Sequence, residues 1–479
     1  MNFKIEEVQT DGSWVPLTDF RAHYTDENIF TLVVGQNAVG KSRLLRKIVS
    51  NYIFNADERV KLANRENYEL DVDNQLYNKF QNSFYHIYDY TQQELDTKKL
   101  LLGKEYYDYF PDREVRCSPD SAITPTNVIA VSTGRHDRFP SPTHSKKRKS
   151  NTNYNYIGTE NKSGSNISNS LTALLEGLVT GRQKLNHLAS IFEYLGFVPY
   201  LDIKLAIDKR QLSKTSKQGE HQEHLNIDPS LIDFLFSDEI THNKSRLGSS
   251  HIYEDLKYHS KANIELDFGD NYLGRAHSTI LNLIPLLKSE LIRISDVTLV
   301  NSLGKSRLRL SQASSGQQCM LTIMLGIAGA IQNGSLICID EPEISLHPSW
   351  QSNIVSQLQR VFSDYHGCHF IIATHSPQIV AGLTSNNGYV LNLEERRLYH
   401  SHEYAKRSAD FQLAEIFHAP GFNNEYLVRL TLLTLTKLSR REELSSEDRL
   451  NINRLLKSRE LLSDTDPVFH LIGQVEALY

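Results

Sequence analysis

A stretch of eight residues near the start of the chain has the composition of a loop that binds phosphate. Its residues, Gly35-Gln-Asn-Ala-Val-Gly40-Lys41-Ser42, fit the pattern G-x-x-x-x-G-K-S. They follow an apolar run at 29–34 and precede a helical pattern, which is the setting that this motif requires. Backbone N–H groups of such a loop point at phosphate oxygens, Lys41 reaches the terminal phosphates, and the Ser42 hydroxyl ligates Mg²⁺. A chance glycine turn is the alternative, which the flanking strand and helix disfavour. The predicted phosphate contacts are Gly35, Asn37, Ala38, Gly40, Lys41 and Ser42.

Two adjacent carboxylates follow a second apolar run. The segment Leu336-Ile-Cys-Ile-Asp340-Glu341 reads as a buried strand that ends in two acids. Alone, such an end is often a solvated strand terminus. Paired with a phosphate loop, it predicts that Asp340 holds Mg²⁺ through its water shell. Glu341 is then the general base that polarises an attacking water.

Two further segments supply a helix start and a histidine. The residues Ala313-Ser314-Ser315-Gly316-Gln317-Gln318 precede an apolar helix over 320–331, and small polar residues at a helix start form an anion site. The run from Phe370 ends in Thr374-His375 and reads as a buried strand that delivers a histidine to the edge of a site. Each segment alone has an ordinary explanation, as a capped helix or a structural histidine. Their functional interpretation depends on their order along the chain.

The order of these four motifs resembles that of ABC-type ATPases, whose catalytic heads bind ATP and Mg²⁺ between two subunits. The resemblance implies that His375 is the switch histidine that contacts the γ-phosphate, and that Lys41, Glu341 and His375 carry the catalysis. It implies that the signature residues Ser314, Ser315, Gly316 and Gln317 complete the site of the other subunit in a homodimer or higher homo-oligomer. Residues 345–348 then occupy the position of the D-loop, which lies at the dimer interface in the family.

Two segments bear on contacts beyond these motifs. Phe20-Arg21-Ala-His23 is similar to an element of SMC-type repair ATPases, which implies that Arg21 lies against the nucleotide; a surface strand residue is the alternative. The segment 131–139, where the family carries its Q-loop glutamine, contains no glutamine. The substitutes left open are Ser132, Thr133, His136 and Asp137.

The segment from Asp340 to Pro348, read DEPEISLHP, resembles SMC/OLD-like AAA ATPases of prokaryotic anti-phage defence. The elements Asp137-Arg-Phe-Pro and 414–422 resemble the PtuA ATPases of Septu and retron systems. That resemblance implies a separate HNH nuclease of the PtuB type as partner, with a retron reverse transcriptase and its msDNA as further candidates. The alternatives are a repair or recombination ATPase of SMC/RecF type that binds DNA itself, and a scaffold that uses ATP only structurally. An intact Glu341 argues against the scaffold.

The elements that position these residues imply an α/β fold. We expect an ABC-type P-loop ATPase head with a mixed or parallel sheet, a helical insert and a helical C-terminal tail. The net charge of −5 gives no general attraction to nucleic acid, so a contact with it would need a local patch such as 146–149, which is more often a solvated run of charge. Four scattered cysteines and the lack of any signal-peptide or membrane-spanning run predict a cytoplasmic protein without membrane contact.

The chain is predicted to divide into five segments. They are the N-terminal part of the head with an insert (1–140), a flexible polar loop (141–170), a helical and irregular insert (171–269), the C-terminal part of the head (270–410), and a helical tail (411–479). In the tail, an apolar stripe from Leu427 to Leu438 predicts either a partner-docking surface or a bundle that closes on itself.

Overall fold

The structure is a computed structural model, and every structural statement refers to the residues that it describes. These are residues 2–10, 13–19, 27–36, 39–63, 115–117, 124–134, 139–140, 154–158, 166–179, 185–207, 261–267, 280–281, 283–287, 292–304, 306–384, 387–404 and 406–479.

The described residues form strands and helices in alternation along the chain. The strands are β1 (Ile5–Thr10), β2 (Ser13–Pro16), β3 (Ile29–Val34), β4 (Val115–Cys117), β5 (Val128–Ser132), β6 (Tyr154–Ile157), β7 (Phe197–Ile207), β8 (Lys261–Asp267), β9 (Ile292–Asn301), β10 (Arg307–Arg309), β11 (Leu336–Asp340), β12 (His369–Ala373), β13 (Gly388–Asn392) and β14 (Arg397–His400). The helices are α1 (Lys41–Ala63), α2 (Asn166–Val179), α3 (Leu185–Tyr194), α4 (Ser315–Ala330), α5 (Pro348–Val361), α6 (Pro377–Ala381), α7 (Ser401–Tyr404), α8 (Ala409–Glu415), α9 (Glu425–Ser439), α10 (Ser446–Arg459) and α11 (Pro467–Leu478).

A central sheet of seven strands runs in the order β14-β13-β3-β12-β11-β5-β6. Six of its strands are parallel, and only β14 pairs antiparallel, with β13. Every residue of β3, β5, β11, β12 and β13 is buried, as expected for parallel strands covered on both faces. The predicted α/β fold with a parallel or mixed sheet is therefore confirmed. Since the parallel strands end at the same side of the sheet, the segments that follow β3, β5, β11, β12 and β13 meet there; we call this side the carboxyl edge.

Helices cover both faces of the central sheet. Alternate strand residues point to opposite faces, so Leu32 belongs to one apolar core and its neighbour Val33 to the other. The core that contains Val33 also holds Leu45 and Ile48 of α1. The core that contains Leu32 holds the apolar length of α4. The sheet thus fixes the start of α1 and the start of α4 relative to the same carboxyl edge.

The predicted helical and irregular insert, 171–269, contains most of α2 and all of α3, but also two strands of a second sheet, β7 and β8. Strands β7 to β10 form an antiparallel sheet in the order β10-β9-β7-β8. The prediction missed β7 and β8, although Leu201, Ile203 and Leu205 alternate with polar residues and are buried with the period of a strand. Residues 280–281 and 283–287 are helical, and β9 begins at Ile292.

The predicted polar loop at 141–170 is also wrong in part. Strand β6 lies within it and pairs with β5, and α2 begins at Asn166. Its composition misled the prediction, because Tyr154 and Tyr156 of β6 are interrupted by asparagines.

The N-terminal strands form a small antiparallel sheet in the order β2-β1-β4. A buried histidine at the start of β12 attaches it to the central sheet. His369 Nδ1 accepts a hydrogen bond from the Ile5 backbone at 3.1 Å, and its Nε2 lies 3.0 Å from the Thr31 hydroxyl. Burial lowers the pKa of His369 to about 3, so this link uses a neutral imidazole.

The tail folds as helices with their own core. Helices α9, α10 and α11 bury a set of apolar residues against each other: Leu427, Ile452, Leu455, Val468, Ile472 and Val475. Part of the predicted stripe is therefore used to close the bundle, while Leu432 and Leu433 remain 50% and 60% exposed. Helix α10 begins with a capping box at Ser445, and α11 begins with an Asp466 cap before Pro467. Among the described helices, none is long and apolar enough to cross a membrane.

Candidate functional site

The phosphate loop, residues 35–42, joins β3 to α1 at the carboxyl edge. Gly40 has a φ of 108°, a conformation that side chains rarely adopt, so the turn into the helix requires glycine here. Lys41 is only 4% exposed, because its side chain folds back over the loop. Its Nζ donates to the carbonyl oxygens of Gly35 at 2.7 Å and of Gln36 at 3.0 Å. Three predicted contacts, Arg21, Asn37 and Ala38, lie outside the described residues.

The electrostatics of Lys41 are those of a cation placed among acids. Burial lowers the pKa of Lys41 to about 8, and the negative charges of Glu341, Glu343, Asp340 and Glu394 limit the fall. The ammonium group is therefore mainly charged at neutral pH. Phosphate oxygens would supply the charge partner and hydrogen-bond acceptors that such a buried cation needs.

Two oxygen donors suited to a divalent cation lie beside the loop. The Ser42 hydroxyl at the start of α1 donates to Asp340 Oδ1 at the end of β11, at 3.0 Å. Mg²⁺ in nucleotide sites is held by one or two protein oxygens together with phosphates and water. No cluster of three or more histidine, cysteine or acidic residues that could hold a metal occurs among the described residues. The pair thus fits Mg²⁺ bound with a nucleotide.

The general-base candidate and the histidine meet at the same place. Glu341 begins the turn after β11, and His375 follows β12, the neighbouring strand. His375 Nε2 lies 3.4 Å from Glu341 Oε1, and its Nδ1 lies 3.1 Å from Lys41 Nζ. Because the ammonium group can only donate, Nδ1 accepts and Nε2 carries the hydrogen that faces Glu341. Burial and the charge of Lys41 lower the pKa of His375, which keeps this tautomer neutral.

A second acid, Glu343, fixes the backbone of the histidine and was not singled out by the sequence. Its Oε1 accepts the His375 N–H at 2.5 Å. Its Oε2 is buried without a hydrogen-bond partner. Burial raises the pKa of Glu343 to about 7, although the His375 N–H and the Thr374 hydroxyl favour its charged form. The only signal in the sequence was its place two residues after Glu341.

The signature residues lie at the start of α4, against the D-loop segment. Ser314 caps the helix, accepting the Gln317 N–H at 3.2 Å, and Ser314 and Ser315 are exposed. A side chain at Gly316 would come within 3.0 Å of the Ser345 carbonyl oxygen and of the Trp350 ring, so this contact requires glycine. Within the described part of one chain, the hydrogen bonds of the Ser314 side chain are those of the helix cap. The structure therefore brings together the loop, the acids and the histidine, but leaves Ser314 facing outward.

The end of β5 lies where the sequence resemblance implies a glutamine-bearing segment. The Thr133 hydroxyl donates to the Glu341 carbonyl oxygen at 2.7 Å. Thr133 and Ser132 line a cavity of about 370 Å³ together with Ser315 and Ser345. The other two candidates for this position, His136 and Asp137, lie outside the described residues.

The turn after β13, residues 393–396, touches both the phosphate loop and the tail. Glu394 accepts the Gln36 N–H at 2.6 Å. The next residue, Glu395, bonds Lys457 of α10 at 3.2 Å and lies 2.9 Å from His418 Nε2. These contacts were not predicted, since nothing in the sequence marks two glutamates in a turn.

Comparisons with known proteins agree with this geometry. Residues 15–380 match the family model described as AAA ATPase domain. The chain is 32% identical over 102 residues to the Retron Ec83 probable ATPase of Escherichia coli, covering 19% of this chain and 18% of that protein. It is 26% identical over 224 residues to the Retron Vc95 probable ATPase of Vibrio cholerae serotype O1 biovar El Tor, covering 42% of this chain and 41% of that protein. The matches thus span less than half the length of these curated relatives.

Among solved structures, one match is the Smc head domain with an extended coiled coil bound to the C-terminal domain of ScpA, from Pyrococcus furiosus. The match has 10% identity and a TM-score of 0.29, and it covers 84% of this chain and 97% of that one.

Proposed function

From the premise that the chain belongs to the AAA ATPase domain family and is an ATP hydrolase, we propose that two copies close around ATP and that the nucleotide state controls a separate nuclease in a retron-type defence system. The observation that carries the proposal is the meeting of Lys41, Glu341 and His375 beside the Ser42–Asp340 pair at the carboxyl edge. The names of the two retron relatives support the defence setting.

The residues of one chain account for the hydrolytic half of the site. Lys41 and the loop N–H groups neutralise the phosphates, and His375 directs its Nε2 hydrogen into the site. Glu341 accepts the proton of the attacking water. Ser42 and Asp340 would hold Mg²⁺, which supplies positive charge to the phosphate oxygens. The charge that develops on the γ-phosphate needs further stabilising donors.

The second copy supplies those donors in the proposed dimer. Ser314 and Ser315 stand exposed at the N-terminus of α4, where N–H groups and the helix dipole favour an anion. Gly316 holds this helix start against the Ser345 backbone, so the signature residues and the D-loop segment present one surface. We place the γ-phosphate of the partner copy on that surface.

Mixing two inactive variants tests the shared site. Lys41→Ala removes phosphate binding from one chain, and Ser314→Arg blocks the surface offered to the other. Each variant alone is expected to lose turnover. A mixture should regain turnover, because mixed dimers contain one site with wild-type Lys41 and wild-type Ser314. Mixed dimers that form, by native mass spectrometry, but stay inactive would refute the shared site.

The partner is proposed to be a separate HNH nuclease of the kind that works with PtuA ATPases, docked on the tail. The exposed Leu432 and Leu433 of α9 support this placement, since exposed apolar patches often mark interfaces. Pull-down of the chain expressed with its neighbouring genes should recover a nuclease. Recovery of duplex DNA ends alone would favour the repair ATPase instead. The buried free thiols Cys338 and Cys368 support a reducing, cytoplasmic setting.

A further inference from the structure

We propose that Thr133 is a positioning residue for the general base Glu341. This inference rests on the proposed hydrolytic role of Glu341. Thr133 occupies the first position after β5, the strand next to β11 in the central sheet.

Glu341 has an unusual backbone that needs support from both sides. Its φ is 47°, a left-handed conformation that costs energy for a residue with a side chain. On one side, the Glu341 N–H donates to the Ala373 carbonyl oxygen at 2.9 Å. On the other side, the Glu341 carbonyl oxygen accepts the Thr133 hydroxyl at 2.7 Å. The first bond continues the sheet, and the second depends on a side chain.

The Thr133 hydroxyl donates the shorter of two hydrogen bonds that orient the carbonyl of Glu341, the other coming from the Ile344 N–H at 3.3 Å. Rotation of that peptide would also move the carboxylate, which now lies 3.4 Å from His375 Nε2. Gly134 lies beside the same carboxylate, since an added Cβ would be in ordinary contact with Glu341 Oε2 at 3.9 Å. Thr133 thus acts on the backbone of the base from the end of the strand next to β11.

The turn that carries Glu341 also contacts the signature helix. Thr133 and Cys319 of α4 line one cavity, and the Cys319 thiol lies 3.9 Å from the carbonyl oxygen of Pro342, the residue after Glu341. Cys319 lies one helical turn after Ser315 in α4. The signature helix therefore contacts the turn that carries the base through one thiol.

Two substitutions of Thr133 separate positioning from packing. Thr133→Val keeps the shape and removes the hydroxyl, whereas Thr133→Ser keeps the hydroxyl. We expect Thr133→Val to lower kcat by roughly 10- to 100-fold, since small misplacements of catalytic groups cost this much. KM and ATP affinity should stay within about threefold of wild type. Thr133→Ser should restore most of kcat. Thr322→Val is the matched control, because the Thr322 hydroxyl lines the same cavity but bonds only to Gln318 O of its own helix.

A double variant tests whether Thr133 acts through Glu341. In a Glu341→Gln background, Thr133→Val should produce no further loss of single-turnover rate, because the group that it positions is gone. Wild-type kcat in Thr133→Val, an equal loss in Thr322→Val, or an additive loss in the double variant would each overturn the inference. The inference would also be overturned if Thr133→Val had a lower unfolding midpoint and weaker ATP binding than wild type, and if Thr133→Ser restored neither property. A wild-type chain without ATP turnover would instead refute the proposed function.

Discussion

The protonation of Glu343 provides a prediction about stability that is independent of catalysis. Burial raises the pKa of Glu343 from an ordinary 4.5 to about 7. Between these two pH values, the unfolded chain releases a proton that the folded chain keeps, so folding becomes less favourable as pH rises. The resulting loss of unfolding free energy above pH 7 is about 3 kcal/mol, at about 1.4 kcal/mol for each tenfold change in ionisation.

Glu343→Gln removes this loss while keeping an oxygen that accepts the His375 N–H. At pH 5 both side chains are neutral in the folded chain, while Glu343 of the unfolded wild type has already released most of its proton, so part of the loss is present there. From pH 5 to pH 8, we expect the difference in unfolding free energy between variant and wild type to move by about a further 2.5 kcal/mol in favour of the variant. The comparison cancels the titration of groups that Glu343 does not influence.

The assay is denaturant unfolding followed at several pH values, with Glu443→Gln as the matched control. Glu443 is exposed between α9 and α10, so its replacement removes the same charge without removing a buried one. The control should show no comparable trend with pH. A difference between Glu343→Gln and wild type that stays constant from pH 5 to pH 8 would refute the reasoning, because it would mean that Glu343 is already ionised in the folded chain.

Three further predictions concern the site and the tail. Glu341→Gln should bind ATP normally, accumulate as an ATP-bound dimer by size-exclusion chromatography, and turn over roughly a hundredfold more slowly; wild-type turnover would exclude Glu341 as the base. Gly316→Ala should lower stability by about 1–3 kcal/mol, because its methyl group meets the Ser345 backbone, whereas Gly304→Ala, with an open surrounding, should have little effect in the same unfolding assay. Leu432→Ser with Leu433→Ser should release a co-purifying nuclease and leave ATP turnover unchanged; retention at full stoichiometry would place docking elsewhere, with Leu450→Ser, another exposed leucine, as the control.

The convergence of the chemical groups was predictable because each lies directly after a buried apolar run. A parallel sheet places the residues after such runs at one edge. In the sequence, Lys41, Asp340, Glu341 and His375 are joined through the pairing and order of their motifs and through the family resemblance. Their geometry agrees with that expectation, while their catalytic roles stay predictions. The order of the motifs added the signature helix.

The supporting contacts were not predictable, because they connect loops that are distant in sequence. Thr133 was one of four candidates to replace the missing glutamine, and no pattern in the sequence distinguished them. The hydrogen bond from its hydroxyl to the Glu341 carbonyl oxygen does. Glu343 lies two residues after Glu341, but nothing in the sequence identified the His375 N–H as its hydrogen-bond partner. Strand β7 carried a local signal in its alternating apolar residues, but its antiparallel pairing with β8 was not predictable because a long polar segment separates the two strands.

The turn at 393–396 contacts the phosphate loop and the tail through two consecutive residues, Glu394 and Glu395. Asn392 holds this turn by accepting the N–H groups of Glu394 and Glu395, and its own amide donates to the Ile416 carbonyl oxygen at the entrance to the tail. The tail core is built from its own helices, while Ile416 and Phe417 at the start of the tail pack into the core of the head. The polar contacts of the turn add to this attachment. Two adjacent carboxylates of this turn therefore contact different parts of the molecule: Glu394 contacts the phosphate loop at Gln36, and Glu395 contacts Lys457 of α10. A shift of either carboxylate would strain the backbone that holds the other.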